Sequence, residues 1–157
     1  MMRPISIAAL LLALLAGCAT TPSGPGAPGQ KVSLAAEQRR LADLFHGTPV
    51  VFQMQSDGSL RVEVPLRYSF DTGGSAVKPP LAAVLDRIAK SQRSQATRLQ
   101  VAAPGDAGAH NPLLARDRAA STRDYMVAHG IAATRFSALT PARSDVVEIV
   151  VAEAPAH

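Results

Sequence analysis

Tryptophan is absent from the 157 residues, and there are only two tyrosines and four phenylalanines. Val, Leu, Ile and Ala must therefore fill any core, since apolar burial is the main favourable term in folding. Cysteine occurs once, at Cys18, which excludes an internal disulfide and leaves no thiols for a zinc cluster. The four histidines, His46, His110, His129 and His157, lack the short spacings of metal ligands. There is no run of Lys and Arg interleaved with aromatics, so a clustered basic face for nucleic acid is not expected. No G-x-S-x-G elbow and no P-loop is present. Neither a catalytic site nor a resident cofactor or metal is expected. The longest apolar stretch, residues 5–15 with only Ser6 interrupting, falls short of the roughly 20 residues that span a bilayer.

That stretch has a different use. Arg3 precedes it, and Leu15-Ala16-Gly17-Cys18 follows it. A short positive region, a short apolar region and small residues before a cut make a cleavable signal, residues 1–17. The motif resembles the lipobox of bacterial lipoproteins. The resemblance implies that Cys18 is lipidated and becomes the new N-terminus. It also implies sorting to the outer membrane, since Ala19 rather than Asp follows the cysteine. Each buried acyl methylene contributes about 0.8 kcal/mol, and two or more chains make a stable anchor. Loss of Arg3 lowers the formal charge from +4 to +3.

Residues 18–31 are the lipidated cysteine and a tether rich in Pro, Gly and Ser. Thirteen such residues span about 20 Å on average and roughly 45 Å when taut. In residues 32–61, Ser33 is placed to cap a helix over residues 34–45, whose Leu34, Gln38, Leu41, Leu44 and Phe45 share a face. Residues 50–55 alternate as a strand, and Asp57-Gly58 signals a hairpin into Leu60, Val62 and Val64. Residues 65–70 are expected to continue in extended form. Gly73-Gly74-Ser75 reads as loop, and Pro79-Pro80 suits a first helical turn. Leu81, Val84, Leu85 and Ile88 then follow helical spacing. Further strands are expected at residues 98–102, 135–139 and 146–151. A second helix is expected from Asn111-Pro112 to His129, closed by Gly130 and Ile131. The order is an α+β two-layer sandwich: two helices on a mixed sheet of about four strands, with an additional N-terminal helix and strand.

Residues 62–151 carry an ordered set of motifs, with a tail at 152–157. Tyr68-Ser69-Phe70-Asp71 closes a strand. Leu99-Gln100-Val101 leads to a loop with Asp106. Asn111-Pro112-Leu113-Leu114-Ala115-Arg116-Asp117-Arg118-Ala119 opens a helix that runs on to Asp124-Tyr125-Met126. Val147-Glu148-Ile149 ends the set. In this order the segment resembles the OmpA-like C-terminal domain of peptidoglycan-associated outer-membrane lipoproteins. The resemblance implies a periplasmic domain that holds peptidoglycan non-covalently through the diaminopimelate stem.

The end of diaminopimelate carries an ammonium and a carboxylate on one carbon. The resemblance implies that Asp106 takes the ammonium and Arg118 the carboxylate, with Asn111 and Leu114 lining the pocket. A planar guanidinium suits a carboxylate because it can donate two parallel hydrogen bonds. Asp106 also reads as a turn former, Asn111 as a helix cap, and Arg118 as a solvated helix arginine like Arg116 and Arg123. The loop departs from the family pattern. Gly105 stands where Thr or Ala is usual, the Asp106-to-Arg118 spacing is short, and Asp145-Val146 replaces a pair of arginines. A second reading therefore stands: an OmpA-like lipoprotein acting as a structural or assembly component of an envelope complex through protein contacts, without binding the wall.

Overall fold

Residues 60–64 alternate apolar and polar side chains, residues 146–151 are apolar except for Glu148, and both become strands that bury every second residue. The computed structural model describes residues 31–108 and 110–156. The signal, Cys18 and residues 19–30 of the tether lie outside the described residues. Strand β2 (Leu60–Pro65) pairs antiparallel with β5 (Val146–Glu153), setting Val62 opposite Ile149 and Val64 opposite Val147. On its other side β5 pairs antiparallel with β3 (Thr97–Ala103). Strand β1 (Val51–Met54) forms one edge beside β2, and β4 (Phe136–Pro141) forms the other, parallel to β3. The order is β1-β2-β5-β3-β4. A parallel neighbour requires a crossover, and helix α4 (Pro112–Ala128) supplies it between β3 and β4. This is the expected α+β sandwich, with the N-terminal strand as the fifth member of the sheet.

All three long helices cover the same face. Phe52, Val62, Ile149 and Val101 stand in one cross-strand row, and all join a single apolar cluster. Helix α3 (Pro79–Gln92) adds Leu81, Val84, Leu85 and Ile88 to it, and α4 adds Ala119 and Met126. The tyrosine hydroxyl of α4 links the two helices, Tyr125 donating to Asp86 Oδ1 at 2.9 Å. At the end of α4, the N–H of Gly130 bonds Val127 O and that of Ile131 bonds Met126 O, each at 3.1 Å. Gly130 has φ of 100°, the left-handed conformation this closure needs.

Helix α1 (Leu34–Leu44) starts at Ser33, whose hydroxyl accepts from Ala36 N. Its buried face differs from the expected one. Leu34 and Leu41 are buried, but Leu44 is half exposed and Glu37 is buried instead. Arg40 forks onto both oxygens of Glu37 at 2.7 and 2.9 Å, which compensates the buried carboxylate. Gln38 donates to Phe52 O at 2.9 Å and so covers part of the β1 edge.

The extended reading of residues 65–70 fails at residues 66–69. Pairing with β5 ends at Pro65 opposite Val146, so further strand would have no partner. The chain instead makes one helical turn, α2 (Leu66–Ser69). Leu66 N donates to Asp145 O, and Ser69 Oγ donates to Pro65 O, both at 3.0 Å. A 3-10 turn over Ala133–Arg135 likewise delays β4 to Phe136.

Candidate functional site

Long helical side chains lean toward the helix N-terminus. Arg118 on α4 does so, and its guanidinium lies fully out of solvent between two loops. Nε donates to Gly74 O at 2.8 Å and Nη1 to Pro104 O at 3.1 Å. Nη2 donates to Asp71 O at 2.9 Å and to Asp106 Oδ1 at 2.6 Å. Four of the five guanidinium donors are thus engaged among the described residues. The Phe70 ring lies against the guanidinium, 5.3 Å from its carbon. Arg118 is therefore an internal clamp, not a solvated helix arginine.

Asp106 is the clamp's outer end. Its Oδ2 accepts from Gly73 N at 2.9 Å, and a quarter of its side chain remains exposed. The hydrogen bond from Arg118, helped by that from Gly73 N, holds its carboxyl below the usual carboxylate range, against a smaller opposing effect of desolvation. It is ionised at neutral pH.

Asp106 borders two hollows. A groove of about 500 Å³ is walled by Leu66, Arg67, Phe70, Thr72, Ala107 and Asp145, with Arg118 in its floor. A second hollow of about 330 Å³ runs along Gly108, His110, Asn111 and Arg143. Asp145 borders both.

The structure thus brings Asp106 and Arg118 together from different elements. Asn111 caps α4, its Oδ1 accepting from Leu114 N at 3.0 Å, and also lines the second hollow. Leu114 is buried and lines neither hollow. Sequence reasoning missed Arg67, and it missed the backbone of residues 71–74. Gly73-Gly74 is more than a loop signal: one glycine supplies an N–H and the other a carbonyl to the clamp. Gly73 has φ of 69°, which favours glycine there. Among the described residues no group of three or more His, Cys, Asp or Glu is placed to hold a metal.

The α+β arrangement of a five-stranded mixed sheet with helices on one face matches the OmpA-like fold of solved structures. No protein-family model matches the chain, and no curated protein matches it. Among solved structures, the chain is similar to the cell wall anchor of the T6SS from Pseudomonas aeruginosa. The identity is 22% and the TM-score 0.61, over 74% of this chain and 96% of the other. It is also similar to a MotB-like protein from Desulfovibrio vulgaris, at 18% identity and TM-score 0.58, over 77% and 92% of the two chains. The periplasmic domain of Helicobacter pylori MotB matches at 16% identity and TM-score 0.55, over 67% and 85%.

Proposed function

We propose that this protein is an outer-membrane lipoprotein whose periplasmic OmpA-like domain binds peptidoglycan non-covalently and ties the envelope, or a complex within it, to the wall. The observation that carries the reading is Asp106. It is an ionised carboxylate, fixed by Arg118 and Gly73 N–H, and it faces a groove. Such a group suits the ammonium of a diaminopimelate stem. Arg118 acts from beneath it, its buried guanidinium holding that carboxylate and both loops in place. Asn111 caps the neighbouring helix start, whose dipole favours an anion. Leu114 supports that turn from inside. The fold shared with a protein described as a cell wall anchor supports the same reading. Acyl chains on Cys18 would hold the domain at the outer membrane through the tether.

The test is sedimentation of the soluble chain from Ala19 onward with diaminopimelate-type sacculi, beside Asp106→Ala and Arg118→Ala. Circular dichroism checks that each variant folds. Wild type is expected in the pellet and folded Asp106→Ala in the supernatant. Folded wild type that stays in the supernatant contradicts the reading. Incorporation of labelled palmitate, lost in Cys18→Ala, tests the anchor.

One observation favours the second reading, a lipoprotein working by protein contact alone. An apolar hollow of about 420 Å³ lies among Phe45, Pro49, Val50, Tyr68 and Pro80. Retrieval of envelope proteins by a chain that ignores sacculi would favour it.

A further inference from the structure

The Arg118 guanidinium is fully buried with four of its five N–H donors engaged, so it is not free to grip a ligand carboxylate through two parallel hydrogen bonds. Arg67 and Asp145 stand on the same groove as Asp106. Both are exposed, and among the described residues neither is in an ion pair. The Arg67 guanidinium carbon lies over the Tyr68 ring, 4.7 Å from its centroid. Stacking occupies the flat face of a guanidinium and leaves its N–H edge open. The two residues are also placed relative to each other. Leu66 N donates to Asp145 O at 3.0 Å, which fixes the turn bearing Arg67 to the start of β5. The other cation nearby, Lys78, is already held by Asp71 at 3.1 Å and by Arg67 O at 3.0 Å. Arg143 borders the second hollow and is not part of the groove wall.

We infer that Arg67 and Asp145 read the zwitterionic end of the stem, Arg67 gripping its carboxylate through two hydrogen bonds and Asp145 sharing its ammonium with Asp106. This rests on the peptidoglycan reading and assigns it a specificity. A stem ending in diaminopimelate satisfies both residues, whereas one ending in lysine, which has the ammonium alone, satisfies only Asp145 and Asp106. The helical turn is what makes the arrangement available, because Arg67 sits at the groove only once the chain has left β2.

The experiment is calorimetric titration of the chain from Ala19 onward, whose described residues share one core, with two tetrapeptide stems. One carries diaminopimelate at its third position and the other lysine. Wild type is expected to prefer the diaminopimelate stem by roughly tenfold, the scale of one charge-assisted contact. Arg67→Ala removes that preference by lowering the diaminopimelate-stem affinity to that of the lysine stem, and Arg67→Lys keeps part of it. Asp145→Asn, which retains the backbone carbonyl, weakens both stems. A preference that survives Arg67→Ala overturns the inference. So does wild type that pellets with sacculi yet treats the stems alike, and in that case the wall-binding reading stands. Wild type that neither pellets nor binds a stem overturns both.

Discussion

Arg118 holds together two loops that the sheet alone does not join, residues 71–74 and 104–106. Replacing it with Ala removes a donor from three backbone carbonyls and leaves the Asp106 carboxylate with only the Gly73 N–H. A loss of about 3 kcal/mol is expected in urea unfolding. Arg118→Lys restores little, because one ammonium cannot meet acceptors spread around a planar fork. Asp106 gives a pH signature. Its carboxyl is lowered in the folded state, so the stabilisation it gives is fully present above the ordinary carboxylate range. It is lost as pH falls below about 4 and through the lowered folded value. Asp57 is lowered as well, chiefly by the Ser59 hydroxyl, so wild type and Asp106→Asn must be compared across the same acid series. The difference between them should shrink toward acid pH. Asp106 and Arg118 were legible because they fall in a recognisable order of motifs. Arg67 and Asp145 were not, because their place on one groove depends on where a strand stops.

At the scale of elements, the helices that read clearly are those whose own residues set both ends. Asn111 starts α4 and Gly130-Ile131 closes it, whereas α2 exists because β5 offers β2 no partner beyond Val146. That is a tertiary cause, and no local periodicity reports it. Helix α1 lies between these cases. Its N-cap was legible, but Leu44 faces solvent and Glu37 takes an inner place through Arg40. Two substitutions test this. Leu41→Ala should cost about 2–5 kcal/mol, as for a fully buried leucine. Leu44→Ser should change stability by less than about 0.5 kcal/mol. Denaturant midpoints of the two variants measure the contrast. Gly130→Ala should cost about 1 kcal/mol. The added methyl would meet Arg93 at ordinary contact distance, so the cost comes from backbone conformation.

Across the whole molecule, one apolar cluster runs from Leu34 through Phe52 to Val151, so the N-terminal helix and strand share the core that supports the groove. The 61/62 division drawn from sequence falls inside β2, because motif resemblance begins there while the strand begins at Leu60. The sheet fixes β2 and β5 side by side, and that pairing brings the turn bearing Arg67 to Asp145, beside the loop of Asp106. The central claim is that this groove holds the wall stem. The most direct measurement is a titration of the isotope-labelled chain with a soluble diaminopimelate-containing muropeptide, followed by amide NMR shifts. The account predicts saturable shifts concentrated at Arg67, Gly73, Asp106, Ala107 and Asp145. No shifts at saturating muropeptide, or shifts confined to the apolar hollow around Phe45 and Tyr68, would contradict it.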